Sequence, residues 1–446
     1  MIFVNCGQCG NQLGHELLGS LWSHLESNND ENDEYFRATK REKKYARVIC
    51  LDTEPKVVSQ CLVQSRVSDQ GWMYDPNNIV YRHGGAGNNW ATGYQMYSGD
   101  FKESAMDAVR REIEKCDYVQ TLVVSHSVAG GTGSGLGTHV TEDIADEFSD
   151  ATLFNIAVTP YHFGEVVVQH YNSVLCLSKL ATSSDGVLIF ENEVAQDLCK
   201  RMKGIDRPTL NDINKLIAAN ITPMFLPKYH TDNINGTRTC LLTKSYFNDD
   251  IVHLCSHPGY KFLDVKNTPQ TSQDSVDFTY DSWLSIMNTL TKMQVKGSAC
   301  ERGLGSINTE NLSKNSIQMS KSIGSVLTLR GPDAASAALQ CTHTTNTLQS
   351  SQQLQLRIPF SDAIINDNQA RFCYSSHITN KYQRSACLIS NSQSILPMLQ
   401  RSVNKAAQLY EAGAFIHQYR QCGLDNDSFL DAFTEIGQVI ANYKSL

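Results

Sequence analysis

LVVSHSVAGGTGSGLG, residues Leu122–Gly137, places an apolar β-rich run directly before a cluster of glycines and a helix-forming segment that continues to Phe148. In that setting the N–H groups of the turn and of the helix N-terminus form an anion nest, and the missing side chains let phosphate oxygens approach the backbone. The stretch therefore reads as a phosphate loop. It is not a Walker A, because no Gly-Lys-Ser/Thr follows. It is not a dinucleotide fingerprint either, because Leu136 stands where the third glycine is due, which disfavours an ordinary Rossmann oxidoreductase.

The same alternation extends in both directions: Ile2–Val4 then Asn11–Leu25, Val48–Leu51 then Glu54–Val63, Thr152–Thr159 then Val166–Leu180 then Gly186–Phe190. Such runs predict βα units around a mostly parallel sheet. One run ends in LDTEP, Leu51–Pro55, and acids at the carboxyl end of a strand are where a phosphate-bound Mg²⁺ would be met. Asp52 suits a helix N-cap equally well. A second glycine turn, GGAGNNWATG at Gly84–Gly93, offers Asn88 and Asn89, amides that donate to phosphate without adding charge. The charge blocks Glu26–Glu34 and Lys40–Lys44 read as solvated loop. Further on, TLNDINKLIAANITPMF at Thr209–Phe225 repeats apolar residues at three and four and predicts one long helix. Leu241 to Arg357 mixes strand and helix patterns, and the stretches Ile395–Tyr410 and Ser428–Tyr443 predict a helical hairpin. The expected fold is α/β: a nucleotide-binding domain with a mostly parallel sheet over 1–205, a connecting helix over 206–230, an intermediate α/β domain over 231–370 and a C-terminal domain with the hairpin over 371–446.

At 446 residues and 41% hydrophobic composition the chain can bury a substantial core. Its formal charge of -8, from 38 basic against 46 acidic side chains, argues against a general nucleic-acid or anionic-membrane binder and leaves room only for a local basic patch. Asn5 and Gln8 interrupt the apolar start and no later stretch approaches a membrane span, so a cytosolic site is expected. The 14 scattered cysteines then read as free thiols, and Asn220-Ile-Thr222 and Asn235-Gly-Thr237 as chance glycosylation triplets. His253-Leu-Cys-Ser-His257 lacks a fourth ligand at metal spacing, so no metal site is expected there. Cys6-Gly7-Gln8-Cys9 has the spacing and the helix-start position of a redox pair, which position alone leaves open.

CGQCGNQLG (Cys6–Gly14), GAGNNWA (Gly85–Ala91) and AGGTGSG (Ala129–Gly135), in that order and at those separations, resemble the tubulin family. The last is similar to the GGGTGSG signature shared with bacterial cell-division GTPases. The resemblance continues through VVVQHYNS (Val166–Ser173) to AFIHQY (Ala414–Tyr419) and so spans the chain. It implies GTP or GDP with Mg²⁺: Gln8 and Cys9 under the nucleotide, Glu54 reaching the Mg²⁺ through water, Asn88 at the γ-phosphate, and Ser127, Gly131, Thr132 and Gly133 around the phosphates. Asn192 and Asn214 match the asparagines that read the guanine edge and ribose. The C-x-x-C then becomes one site residue, Cys9, beside a filler, Cys6. Gln169 replaces a ribose-contacting glutamate, and Leu210 replaces a tyrosine that stacks on the base. The family's hydrolytic carboxylate enters a neighbour's site across the longitudinal interface. Counting back from LCSHP (Leu254–Pro258) it aligns with Asp249, with Asp250 as the alternative, and it would orient or activate water for the neighbour's GTP. The lateral-contact loop corresponds to TPQTSQDSVDFTY (Thr268–Tyr280), shortened and without Lys or Arg from Asn267 to Thr291, and the chain ends at NYKSL without a glutamate-rich tail. Both features point away from a bulk microtubule subunit.

Gly164–Asn192, Ser385–Gln393 and Phe415–Phe433 resemble the δ class of the family, with the ε and ζ classes as alternatives. The resemblance implies a cytoskeletal protein of the cytoplasm at centrioles and basal bodies, forming or keeping triplet microtubules. Its partners would be other tubulin subunits, ε or α and β, and a microtubule or centriole wall. Nucleic acid and membrane are not expected partners. Two modes follow: GTP hydrolysis on assembly, or a structural adaptor that holds nucleotide without turnover.

Overall fold

The computed structural model describes residues 1–28, 33–39, 43–67, 70–162, 164, 166–234, 237–272, 276, 282–301, 319–343, 354–356, 358–361 and 370–446. Parts of the charge blocks, Asn235, and residues 273–275 and 277–280 of the lateral-contact loop lie outside them. The chain divides into two compact units, Met1–Glu193 with Pro397–Ala441, and Val194–Leu396 with Asn442–Leu446.

The first unit runs β1 (Ile2–Cys6), α1 (Gly7–Ser27), β2 (Val48–Asp52), α2 (Pro55–Val67), β3 (Ile79–Tyr81), α3 (Trp90–Met96), α4 (Asp100–Ile113), β4 (Thr121–Ser127), α5 (Gly137–Glu147), β5 (Thr152–Thr159), α6 (Gln169–Ser183) and β6 (Gly186–Glu191). The strands lie in the order β6-β5-β4-β1-β2-β3, each pair parallel. Helices on the faces of a parallel sheet leave no solvated side, so β1 and β2 are buried at every position. The core on one face packs Ile2, Val4, Ile49, Leu51 and Val124 against Ala105, Val109, Val140 and Ile144 of α4 and α5. The order matters for function. The chain winds outward from β1 to β3, then restarts at β4 and winds the other way, so the carboxyl ends of β1 and β4 flank a topological switch point. That is where ligands settle in open α/β sheets.

The second unit contains α7 (Asn192–Lys203, whose first two residues belong to the first unit), α8 (Leu210–Phe225), β7 (Tyr229–Ile234), β8 (Thr237–Lys244), α9 (Phe247–Leu254), β9 (Phe262–Thr268), α10 (Trp283–Lys296), β10 (Ser322–Arg330), α11 (Ala334–Gln340), β11 (Ala370–Ser375) and β12 (Ser385–Ser392). These strands lie in the order β8-β7-β11-β10-β12-β9; among them β10 and β11 pair in parallel and the other described pairs are antiparallel, while Cys341–His343 and Leu354–Leu356 form a separate parallel pair. Helix α8 is the expected long helix. Thr209 and Asp212 close a capping box at its start. At its end buried Arg330 donates to the carbonyls of Pro223 at 3.1 Å and Leu226 at 2.9 Å, satisfying groups that have no helical partner. The C-terminal helices α12 (Leu396–Glu411), α13 (Ile416–Arg420) and α14 (Asn426–Lys444) lie almost wholly in the first unit. Among the described residues no helix is long and apolar enough to cross a membrane.

Candidate phosphate and nucleotide site

Four connections, which leave the carboxyl ends of β1, β2, β3 and β4, pack on one another. After Ser127 the chain turns through residues 128–131 into a π-helical turn, Thr132–Leu136, that runs into α5. N–H groups in the first turn of a helix have no intrahelical acceptor and point at whatever lies beyond the end. Gly7, with φ +72°, sits so close to this turn that a Cβ would lie 2.9 Å from the Gly133 nitrogen. The second glycine turn packs on the first: a Cβ on Gly131 would lie 2.7 Å from the Asn89 nitrogen. The LDTEP segment joins them through Thr53, whose Oγ1 is 2.6 Å from Thr132 Oγ1, and through Glu54, whose carboxylate lies against Gly85. Thr53 carries no signal in the sequence; its part is visible only once the two loops meet.

Of the candidate residues, this arrangement gathers Gln8, Cys9, Glu54, Asn88, Ser127, Gly131, Thr132 and Gly133 around the switch point. Gln8, Glu54 and Asn88 are exposed, and Cys9 is half-buried in the first turn of α1. Asn88 adopts φ +55°, in the left-handed region where asparagine is tolerated. Asn89 differs from its neighbour: buried, it caps α3, with Oδ1 accepting from the N–H groups of Ala91 at 2.8 Å and Thr92 at 3.3 Å. The two amides expected at the phosphate thus differ in setting: Asn88 is exposed, and Asn89 commits its oxygen to the helix cap. Ser127 Oγ accepts from the Ala129 N–H at 3.2 Å and so closes its own loop. Behind that loop buried His126 meets Asn155 Oδ1 at 3.1 Å, and burial lowers the imidazole to about 4, so it is neutral at physiological pH.

The acids of LDTEP divide by burial. Asp52 is buried at the end of β2, and desolvation raises its carboxyl to about 6 against the pull of hydrogen bonds from the backbone of Glu54 and Thr53. Its Oδ1 accepts from the Glu54 N–H at 3.2 Å, a turn two residues long, while α2 starts at Pro55. It is therefore not the N-cap of α2. In the C-x-x-C both cysteines are reduced, and desolvation raises both thiols, Cys9 to about 12. A redox pair needs a thiolate, and this environment withholds it.

Asn192 is the first residue of α7, at the end of β6, two strands removed from β4. Its neighbours are engaged: Glu191 accepts from Arg401 at 2.6 Å, and Glu193 holds the His162 imidazole at 2.5 Å and its backbone N–H at 2.9 Å. Gln169 is buried, its Nε2 donating to the Tyr161 carbonyl at 2.9 Å and its Oε1 lying against Gly164. Asn214 and Leu210 belong to α8 of the second unit; Asn214 is buried and Leu210 is 55% exposed.

Also in the second unit, the first turn of α9 separates the two candidate hydrolytic carboxylates. Asp249 faces solvent. Asp250 is fully buried, paired with the equally buried Lys228 and 3.4 Å from Arg371 Nη1. An acid committed to two cations inside one unit cannot be donated to a neighbour, so of the two only Asp249 stays available. Among the described residues no cluster of three or more His, Cys, Asp or Glu is arranged to hold a metal. A cleft of about 350 Å³ in the first unit, lined by Trp90, Tyr94, Lys179, Cys422 and Glu435, contains none of the candidate residues.

Comparison with known proteins agrees with this geometry. The Tubulin/FtsZ family GTPase-domain model matches residues 1–200, the span that holds the glycine turns described above. The tubulin delta chain of Canis lupus familiaris is 33% identical, and that of Homo sapiens 32%, each alignment covering 100% of both chains. A tubulin beta chain of Aspergillus fumigatus is 25% identical over 100% of this chain and 94% of its own length. Such identity sustained from end to end, on a parallel sheet whose glycine turns converge at the switch point, means that the chain belongs to the tubulin family, is similar to its delta chains, and by that membership binds GTP or GDP.

Proposed function

We propose that this chain is a δ-type cytoskeletal subunit that works in centriole and basal-body assembly, forms or keeps triplet microtubules, and hydrolyses GTP when a neighbouring subunit completes the site. The reading rests on one observation above all: the N-terminal turn before α5, the Thr53–Glu54 segment and the Asn88 loop converge on one point of the sheet. Outward N–H groups from Gly131, Thr132 and Gly133 take the phosphates, with Ser127 bracing their loop. Gln8 and Cys9 form the floor, and Asn88 meets the γ-phosphate. Glu54, exposed and negatively charged, suits a Mg²⁺ held through water; the ion when bound supplies neutralising charge to the phosphate oxygens. Asn192 and Asn214 are assigned the guanine edge and the ribose. Asp249 orients water in the neighbour's site, by position and charge. Partners are other tubulin subunits, ε or α and β, and a microtubule or centriole wall, within the cytoplasm.

A second reading, a structural adaptor that holds nucleotide without turnover, draws on Asp249 being one methylene shorter than a glutamate at that place. Two measurements decide. Nucleotide extracted from purified chain is guanine on either reading, and a nicotinamide or flavin would overturn both. Phosphate release that rises on adding a partner tubulin and falls with Asp249→Ala supports hydrolysis in trans; no release under either condition leaves the adaptor.

A further inference from the structure

Two stretches that carry the family resemblance, VVVQHYNS and AFIHQY, meet at one buried side chain to which no role has been given. Asn172 of α6 has no exposed surface. Its Nδ2 donates to the carbonyls of Asn88 at 2.8 Å and Ala129 at 2.7 Å. Its Oδ1 accepts from the Trp90 N–H at 2.9 Å and the Tyr419 hydroxyl at 2.6 Å. Two amide hydrogens and two lone pairs are the whole capacity of an asparagine, and all four are used. The partners also fix which way the amide points, since the opposite placement would set NH₂ against an N–H and an oxygen against two carbonyls. Tyr419 is fully buried too, edge-on to Tyr171 and Phe429 with ring centres 5.6 and 5.3 Å away, so packing alone places its hydroxyl.

The four partners are not equivalent in position. Asn88 and Trp90 bracket the capped start of α3, Ala129 opens the phosphate loop, and Tyr419 belongs to α13 near the end of the chain. A single amide thus sets the gap between the two glycine turns and ties that gap to the C-terminal helices.

We infer that Asn172 is a positioning residue for the phosphate site, holding the Asn88 turn at a set distance from the Ala129–Gly133 loop, and that Tyr419 couples this distance to the order of α13 and α14. The inference rests on the guanine-nucleotide reading above. The Asn88 turn is the one assigned to the γ-phosphate, so the gap decides how well a triphosphate is told from a diphosphate. By reciprocity, a nucleotide that tightens the gap also steadies the helices held through Tyr419.

The experiment compares full-length wild type with Tyr419→Phe, which keeps the ring and removes only the hydroxyl, and with Asn172→Ala. Affinities for GTP and GDP are measured by displacement of a fluorescent guanine nucleotide, and hydrogen exchange of residues 416–444 is followed with each nucleotide. Tyr419→Phe is expected to lower the ratio of GTP to GDP affinity roughly fivefold, and Asn172→Ala more. Both should erase the difference in exchange between the GTP and GDP forms. General loosening would weaken the two nucleotides equally and leave their ratio unchanged. A folded Tyr419→Phe protein with the wild-type ratio and the wild-type exchange difference overturns the inference. Wild type that binds no guanine nucleotide overturns the reading beneath it and the inference together.

Discussion

Each unit carries two acidic side chains close together, Asp52 and Glu54 at the end of β2 and Asp249 and Asp250 at the start of α9, and each pair places one carboxylate inside and one outside. The buried members are treated differently. Asp52 is met by neutral donors, chiefly the Glu54 N–H, and these offset only part of its desolvation, so its carboxyl rises to about 6. Asp250 is met by Lys228 and Arg371, and a charge pair satisfies a buried carboxylate where dipoles do so incompletely. A buried acid between cations is a strut. A buried acid among dipoles keeps a proton within reach, and its neighbour Glu54 is the one that faces solvent.

The contrast breaks most visibly at Asp250. Asp250→Ala should cost about 3–5 kcal/mol, because Lys228 is left charged and buried without its carboxylate, whereas Asp249→Ala should stay within about 0.5 kcal/mol; urea unfolding of the two variants checks this. Equal stability of both would end the strut account. At Asp52 the sign reverses. Its folded value of about 6 lies above the ordinary 3.8, so the folded chain holds the proton more tightly, and the stability this contributes below about pH 4 is lost as pH rises through 6. The loss approaches ~3 kcal/mol. Asp52→Asn should therefore be more stable than wild type near pH 7 and nearly equal to it at pH 4, read from unfolding midpoints across that range. Next in size, Gly131→Ala drives a Cβ into the Asn89 nitrogen and should cost about 1–3 kcal/mol while weakening nucleotide binding, measured by thermal unfolding and nucleotide displacement. Smallest are the two ends of the C-x-x-C. Buried Cys6→Ala should cost about 1 kcal/mol of stability with nucleotide binding intact, and exposed Gln8→Ala should do the reverse.

Much of this architecture is written in local spacing. A phosphate loop needs a strand, small residues and a helix in immediate succession, so LVVSHSVAGGTGSGLG declares itself, and the capped periodicity of Thr209–Phe225 does the same for α8. Asn88 and Asn89 show the limit. They are chemically identical neighbours, and only the backbone, left-handed at one and capping at the other, divides a side chain facing solvent from one turned into α3. Asp249 and Asp250 are divided in the same way by the helical turn that puts successive residues 100° apart, one toward Lys228 and one toward water. Asn172 and Tyr419 are 247 residues apart, and no pattern in either stretch foretells that they share a hydrogen bond.

By itself, then, the sequence determined the parallel sheet of the first unit, the family, and where the glycine turns follow its strands, because each of these depends on residues within a few positions of one another. Tertiary structure alone decided which of two like side chains is spent on the fold and which faces solvent, because burial, and the partner that makes burial tolerable, come from distant segments brought together by packing.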